Sequence, residues 1–277
     1  MRDILRPCRL RLFLPLCALL AACGFPRTAG RHGGGQYAQA MDSATSACLR
    51  NPSCYMPPAG EEAVLPWLSR FISAARTSVA VARLLDAAEL ARVEQVMKDC
   101  ANQASFEVNE RLLGKGQRPT RKLCQETFET DGRGNKVTWA MHLGREKHQA
   151  ALECVQKELG KTLSDNFSLQ PHYRYERKAK KLDLLDPKQV EEWLRDGLFG
   201  MLLGSLMPDV VFHASGDPRR VQAVFDFKFP CPSSNGASWY RYPLDHPYYK
   251  STQGDIYREA FGVEPRLISP GFGATGG

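Results

Sequence analysis

The chain has 277 residues, 43% of them hydrophobic, and its formal net charge at pH 7 is +7. This length suits one domain of ordinary size with an accessory region, and past residue 22 no apolar run is long enough for a membrane span. The mildly basic charge is compatible with a polyanionic ligand, although a charge of this size indicates none by itself.

The N-terminal residues have the pattern of an export signal. Four arginines lie within residues 2–11, and the apolar segment 12–22 that follows them is too short to span a bilayer. Small residues lead up to Cys23, and this ending resembles the lipobox of bacterial lipoproteins, whose cysteine is lipidated and becomes the mature N-terminus. Because Gly24 follows in place of an acidic residue, the resemblance implies an outer-membrane lipoprotein, bound to the membrane through its lipid. The alternatives are an ordinary secretory signal with a coincidental cysteine and a short membrane anchor.

Export changes both the charge and the expected state of the cysteines. The predicted signal peptide, residues 1–22, carries four arginines and one acid, so its removal lowers the net charge by three, from +7 to +4. Six cysteines follow Cys23, namely Cys48, Cys54, Cys100, Cys124, Cys154 and Cys231. An even number in an oxidising compartment permits three disulfides, and the lack of a CxxC spacing argues against structural zinc. For one pair we predict Cys154 with Cys231, inside the C-terminal domain.

Composition divides the rest of the chain into three parts. Residues 23–60 are rich in Gly, Ser, Ala and Pro, which predicts a flexible tether. In residues 61–114 apolar side chains recur at spacings near three and four, which predicts amphipathic helices that pack on the protein's own body. A groove for a partner or a membrane is the alternative. Residues 115–137 are polar and turn-rich, so we predict a helical accessory region over 61–137 and a second domain over 138–277.

The C-terminal domain has a readable succession of elements. We predict, in chain order, a helix over 140–160, a strand within 167–176, a helix from Asp186-Pro187 to Leu202, strands over 206–213 and 221–229, a helix over 251–261 and a strand over 265–269. The short polar connection between the second and third strands predicts a hairpin. The order helix, strand, hairpin, helix, strand predicts an α+β core.

Two acids and a lysine lie in the hairpin strands. Because side chains alternate along a strand, Asp226 and Lys228 share one face, while the phenylalanines between and beside them share the other. If the strands pair in register, Asp209 comes alongside Asp226. Buried charges at a sheet are costly unless they are paired or bind a metal. Two carboxylates can hold Mg²⁺ while leaving positions for water and phosphate, and a lysine beside them can orient the water or stabilise developing charge. A simple ion pair is the alternative.

This pattern resembles the PD-(D/E)xK nucleases. An acid-x-lysine triplet occurs three times in the chain, and only residues 226–228 lie in an apolar strand directly after a strand that bears Pro-Asp. The resemblance covers about residues 138–272 and implies a restriction-endonuclease-like core that hydrolyses phosphodiesters with Mg²⁺ or Mn²⁺. It also implies a role for each of four residues: Asp209 and Asp226 as metal ligands, Lys228 as the catalytic lysine and Gln253 as the glutamine near the site, with Tyr257 one turn on.

The first helix departs from the family pattern. Many members place a glutamate there that completes the metal site, and the corresponding segment here runs from Gly144 to His148. Either Glu146 or His148 fits that position, so the resemblance leaves the third metal ligand open between them.

Two other segments combine features of nucleic-acid binding with ordinary structural ones. The loop from Trp239 to Lys250 mixes aromatic and cationic side chains, which suits base stacking and phosphate contact as well as it suits local core packing. The basic run over residues 177–181 is typical of a solvated face, with nucleic-acid contact as the lesser alternative. His213, at a strand end, is predicted to be structural.

The segment from Phe225 to Pro232, with Trp239, Gln253 and Tyr257, resembles nuclease domains of bacterial polymorphic toxins. A lipidated chain that ends in such a domain is similar to the swarm-inhibition lipoprotein toxins of myxobacteria, which pass between kin cells by outer-membrane exchange. The resemblance implies a contact-delivered toxin that cleaves nucleic acid in the recipient cytoplasm, and a cognate immunity protein in the producer. Of the two substrates, DNA is favoured, and the sequence itself leaves the choice between DNA and RNA open. The alternatives are a non-catalytic outer-membrane lipoprotein that uses the fold for binding or scaffolding, and an extracellular scavenging nuclease.

Overall fold

The computed structural model describes residues 83–130, 134–244, 246–271 and the backbone of 273–276. The predicted signal peptide, Cys23, the tether, Cys48 and Cys54 lie outside these residues. This part of the chain is α+β, as predicted. Its helices are α1 (Ala87–Leu113), α2 (Arg121–Gln125), α3 (Trp139–Leu159), α4 (Pro187–Arg195) and α5 (Gln253–Phe261). Its strands are β1 (Thr127–Thr130), β2 (Lys136–Thr138), β3 (Phe167–Leu169), β4 (Tyr173–Glu176), β5 (Lys181–Leu184), β6 (Ser205–Leu206), β7 (Val210–Ala214), β8 (Asp217–Phe227), β9 (Arg266–Ser269) and β10 (Gly273–Gly276).

The largest sheet has five strands in the order β10-β9-β8-β7-β3. Strands β8 and β9 are parallel and are joined through α5, whereas every other pair in this sheet is antiparallel. The predicted hairpin is present as β7 and β8, with a turn at Ser215-Gly216 in which Gly216 has a φ of 71°. Such a positive φ suits glycine because it lacks a Cβ. The hairpin is tighter than expected, since β8 begins at Asp217.

Two layers cover the sheet. On one face, alternate residues such as Val210, Phe225 and Phe227 pack with the buried sides of α1 and α3. On the other face, Val211 and Val224 pack with α5, the β4 strand and buried tyrosines of residues 240–248. Alternation along β7 and β8 therefore directs neighbouring side chains into different layers.

Helix α1 shares its core with the sheet. A capping box of Asp86 and Glu89 begins this helix, and its buried residues Met97 and Ala101 belong to the same hydrophobic cluster as Phe225. The predicted boundary near residue 137 therefore falls between elements that use one core. The apolar residues that predicted earlier helices lie outside the described residues, apart from Leu84 and Leu85 just before α1.

Two disulfides link the predicted accessory region to the rest. Cys100 of α1 pairs with Cys154 of α3, and Cys124 of α2 pairs with Cys231 just after β8. The predicted Cys154–Cys231 pair is wrong because Cys154 faces α1, whereas Cys231 lies in a separate cluster with Cys124. The prediction failed because it sought both partners within residues 138–277.

Three predicted elements are interrupted. The strand expected within 167–176 is two strands in different sheets, separated at Gln170, which has a φ of 46°. The helix expected to reach Leu202 ends at Arg195, and a short 3-10 turn, Phe199–Leu202, follows. The strand expected over 206–213 is interrupted at Pro208, which lies between β6 and β7. Strand β6 pairs with β4 in the three-stranded sheet, whereas β7 belongs to the five-stranded sheet.

Candidate active site at the end of the hairpin

The end of β8 separates apolar from polar side chains as the alternation predicts. Phe225, Phe227 and Phe229 are buried in the core beneath α1 and α3. Asp226 is 0% and Lys228 is 2% exposed, and the ammonium of Lys228 contacts one carboxylate oxygen of Asp226. The Lys228 N–H donates to the carbonyl of Ile268 at 2.8 Å, which holds the segment on β9 beyond the end of the strand.

Asp209 joins these residues from the neighbouring strand. Val210 lies opposite Phe225, and antiparallel pairing continued by one residue places Asp209 opposite Asp226. The Asp209 carboxylate is fully buried and accepts from the Phe227 N–H at 2.7 Å. The side-chain amide of Gln170, which sequence reasoning missed, donates to its other oxygen at 3.3 Å.

Gln253 bridges the second acid and the lysine. Its Oε1 accepts from Lys228 Nζ at 2.8 Å, and its Nε2 donates to Asp226 at 3.1 Å and contacts the Tyr257 hydroxyl at 2.9 Å. Gln253 is the first residue of α5, which Thr252 caps, so the helix start fixes this amide against the sheet. Tyr257, one turn on, lies with its hydroxyl 3.4 Å from Asp226.

Helix α3 brings His148, and not Glu146, to the acids. His148 Nδ1 is 3.3 Å from Asp209, and its ring packs edge-on against Phe229. Residues two apart lie about 200° around a helix, so Glu146 points elsewhere. Its carboxylate accepts from Arg111 of α1 at 2.8 Å. The structure thus brings His148 against Asp209, whereas Glu146, predicted as a metal ligand, lies in an ion pair with Arg111.

The two acids differ in their ionisation. Burial raises the pKa of Asp226 to about 6, even though Lys228 beside it opposes the shift. Burial acts in the same direction on Asp209, but interactions with His148, Lys228 and the Phe227 N–H together hold the pKa of Asp209 below its usual range. Above pH 6 the site therefore contains two carboxylates, and that of Asp226 contacts the ammonium of Lys228.

The segment over residues 239–250 is partly core and partly surface. Tyr240, Tyr242 and Tyr248 are buried in the second layer, whereas Arg241 and Lys250 are exposed. Trp239 lies against Gly254, where a Cβ would approach its indole to 2.8 Å, and Lys228 Nζ is 5.7 Å from the indole centroid. The absence of a side chain at residue 254 thus allows Trp239 to cover the lysine.

The basic run over residues 177–181 and His213, both singled out in the sequence, make contacts within the fold. The run over residues 177–181 includes the turn between β4 and β5, and Arg177 pairs with Glu259 of α5 at 2.8 Å. His213 is buried and contacts Ser168 Oγ and the Ala214 carbonyl, each at 2.9 Å, which suits the predicted structural role.

Sequence reasoning also missed Lys147, which is 4% exposed on α3. Burial lowers the pKa of this lysine to about 8. A signal was available, because Leu143 and Ala151, one turn to either side, mark the same helix face as apolar.

The donor chemistry of the site fits a hard cation. Among the described residues no three His, Cys, Asp or Glu side chains are grouped closely enough to hold a metal ion by themselves. Mg²⁺, however, is commonly bound through one or two carboxylates, with waters and phosphate oxygens as the remaining ligands. Asp209 and Asp226 supply such a pair, and their oxygens would have to exchange present donors for the ion.

Comparison with known proteins gave no relative. No family model matches the chain, and neither does any curated protein or solved structure. Within the described ranges, no helix combines the length and apolar character needed to cross a bilayer. A function for this protein therefore has to be inferred from its own residues.

Proposed function

We propose that the protein is a lipid-anchored antibacterial toxin whose C-terminal region hydrolyses phosphodiester bonds of nucleic acid, with DNA favoured over RNA, by a PD-(D/E)xK mechanism. The observation that carries this proposal is the meeting of Asp209, Asp226 and Lys228 at the end of one hairpin, with Gln253 bonded to both Asp226 and Lys228. These residues come from separate parts of the chain. The resemblance to the PD-(D/E)xK nucleases implied a role for each of them in metal-dependent phosphodiester hydrolysis.

Each of these residues has its own role in the proposed hydrolysis. Asp209 and Asp226 would hold Mg²⁺ or Mn²⁺, which when bound lowers the pKa of a water and neutralises charge on the phosphorane-like transition state. Lys228 is placed to orient that water or to stabilise developing negative charge. Gln253 fixes the lysine through its Oε1, and the Phe227 N–H fixes Asp209.

The order of elements supports a restriction-endonuclease-like core. Helix α3, strand β3, the β7–β8 hairpin, helix α5 and strand β9 follow the predicted succession, with the four strands adjacent in one sheet. An inserted unit of β4, β5, α4 and β6 separates β3 from β7. This insertion adds a layer over α5 without interrupting the pairing of the catalytic strands.

The toxin part of the proposal rests on the N-terminal sequence. Removal of the predicted signal peptide, residues 1–22, would leave Cys23 as a lipidated N-terminus that attaches the protein to the outer membrane. Disulfides that join α1 to α3 and α2 to Cys231 suit passage through an oxidising compartment. A producer of such a nuclease would need a cognate immunity protein, and cleavage would take place in the recipient cytoplasm.

One observation favours a second candidate, a non-catalytic lipoprotein that uses this fold for binding or scaffolding. The three charged residues are 0–2% exposed, and each acid already accepts from protein donors. A buried, satisfied polar cluster also forms in proteins without catalysis, where it is retained for structure.

A cleavage assay distinguishes the candidates. The full chain, purified in detergent with its disulfides intact, is incubated with plasmid DNA and with RNA in Mg²⁺ or in EDTA. We expect Mg²⁺-dependent cleavage that Asp226→Asn and Lys228→Ala each reduce by about 100- to 1000-fold, because both remove transition-state stabilisation. Asp217→Asn, at the other end of the same strand, is the matched control and should cleave normally. A folded wild type that leaves both substrates intact would reject the nuclease in favour of the binding lipoprotein.

A further inference from the structure

Trp239 lies beside the lysine of the proposed site, and the proposed hydrolysis does not use it. The ammonium of Lys228, a residue only 2% exposed, is 5.7 Å from the centroid of the indole. Trp239 itself is only half-buried, with Gly254 and Tyr257 of α5 against it. A phosphodiester that reaches Lys228 therefore comes to lie next to a partly exposed aromatic ring.

The segment that carries Trp239 is fixed by backbone hydrogen bonds to the start of α5. The backbone of residues 240–242 pairs with that of residues 251–253 in an antiparallel manner. Side chains alternate along such an extended segment, and here the tyrosines at positions 240 and 242 are buried, whereas Trp239 is half-buried and Arg241 is exposed. An aromatic ring and a guanidinium thus alternate with core residues on the outer side of this segment.

These two side chains suit a nucleic-acid strand with unpaired bases. An aromatic side chain stacks on the flat face of a base, and a cationic side chain beside it contacts the phosphate backbone. Inside a duplex the faces of each base are covered by its neighbours, so a base has to leave the stack, at a cost in free energy, before a side chain can pack on it. In a single strand the faces of the bases are accessible. The base that adjoins the scissile phosphate is the one that would meet Trp239, because that phosphate would lie at Lys228.

We propose that Trp239 and Arg241 form a binding site for single-stranded nucleic acid, in which Trp239 stacks on the base that adjoins the scissile phosphate and Arg241 contacts a backbone phosphate. This inference rests on the nuclease function proposed above and deepens it, because it names strands with unpaired bases as the preferred substrate. The contribution of both residues is to hold the strand beside Asp226 and Lys228.

The first test measures binding by the full chain in EDTA, where the proposed metal-dependent hydrolysis does not proceed. The probe is a short fluorescein-labelled single-stranded DNA, followed by fluorescence anisotropy. We expect Trp239→Leu to weaken binding about tenfold, because leucine is apolar but lacks the ring that stacks, and Trp239→Phe to keep most of the affinity. Trp193→Leu, at another half-buried tryptophan that also lies beside an arginine, is the matched control and should bind as wild type. Equal binding by wild type and a folded Trp239→Leu would overturn the inference.

Arg241→Gln keeps the test decisive if a Trp239 variant fails to fold, because Arg241 is exposed. We expect this variant to bind the same probe more weakly and to lower the slope of log Kd against log salt by about 0.7, the value for one phosphate contact on a single strand. Lys157→Gln, at an exposed lysine on α3, should change neither quantity. An unchanged affinity and slope in Arg241→Gln would reject the phosphate contact and with it the proposed site.

Competition identifies the preferred form of the nucleic acid. Circular single-stranded DNA and relaxed circular duplex DNA, neither of which has ends, are added to the bound probe at equal nucleotide concentration. We expect the single strand to compete about tenfold better or more, because the duplex has to release a base from its stack. A duplex that competes equally well would overturn the preference for unpaired bases.

Steady-state cleavage in Mg²⁺ separates this inference from the nuclease function itself. If wild type binds the single strand through Trp239 but cleaves no nucleic acid, the binding site stands and the nuclease is rejected. If wild type cleaves, while Trp239→Leu leaves both the Kd in EDTA and the KM unchanged, the binding site is rejected and the nuclease stands.

Discussion

The two faces at the end of β8 are made from alternate residues of one strand and are stabilised in opposite ways. Phe225 and Phe227 bury apolar surface beneath α1 and α3, which favours folding. Asp226 and Lys228, equally buried on the other side, lose hydration and recover only part of it through each other and Gln253. The polar face is therefore held in place by the stability that the apolar face provides.

A cluster of this kind is most readily explained by function. An apolar replacement of a buried ion pair is often neutral or stabilising, so packing alone does not require Asp226 and Lys228 at these positions. The raised pKa of Asp226, caused first by burial, shows that its charge is held at a cost. We therefore expect substitutions on the apolar face to lower the free energy of unfolding, and substitutions on the polar face to lower cleavage activity.

We expect the largest effects from substitutions of the neighbouring residues Phe225 and Asp226, the first on stability and the second on cleavage. Phe225→Ala should lower the free energy of unfolding by about 3–5 kcal/mol, since it opens a cavity in the core. Asp226→Asn should leave the free energy of unfolding unchanged or raise it, while reducing cleavage about 100- to 1000-fold. Urea unfolding of both variants in EDTA measures the comparison, and Phe106→Ala, at an exposed position of α1, is the control. A marked loss of stability in Asp226→Asn would show that the polar face is structural.

The periodicity of the sequence was sufficient to predict which residues form the apolar face and most of those that form the polar face. Alternation along residues 225–229 fixed which side chains share a face, and Pro-Asp before the hairpin identified the second acid. The predictions from periodicity succeeded because strand and helix periods act over a few residues and do not depend on distant contacts. Gln253, in contrast, was implied by the resemblance to the PD-(D/E)xK nucleases.

The failures depend on contacts between distant segments. Cys154 pairs with Cys100, 54 residues earlier, and no local pattern specifies that partner. Gln170 breaks a predicted strand through a positive φ and then donates to Asp209. The choice between Glu146 and His148 depended on how α3 is rotated against the sheet, which is set by packing with α1.

That rotation supports a prediction of intermediate size. His148→Ala should reduce cleavage about 10- to 100-fold, because His148 contacts Asp209, a proposed metal ligand, and such a contact fixes the position of the ligand. Glu146→Gln should cleave as wild type and change the free energy of unfolding by less than about 1 kcal/mol, since it disrupts only a partly exposed ion pair with Arg111. Cleavage rates at saturating Mg²⁺ measure both variants. Loss of activity in Glu146→Gln alone would favour Glu146 over His148 as the third ligand of the proposed metal site.

The smallest expected effect is a dependence on pH, which separates the two acids of the polar face. Because burial raises the pKa of Asp226 to about 6, its protonated form predominates below that pH and binds Mg²⁺ poorly. Cleavage at subsaturating Mg²⁺ should therefore fall about tenfold per pH unit below 6.

As the pH falls, the contribution of Asp226 to the free energy of unfolding in EDTA should become more favourable, in the opposite direction to the change in cleavage. A carboxyl whose pKa is raised by folding binds its proton more tightly in the folded state, so its unfavourable contribution disappears as pH falls through 6 toward the ordinary value of about 4. The advantage of Asp226→Asn over wild type in free energy of unfolding should accordingly shrink between pH 7 and pH 5. A difference that stays constant over this range would mean that Asp226 does not titrate near 6, and that its charge is better compensated by Lys228 than its burial indicates.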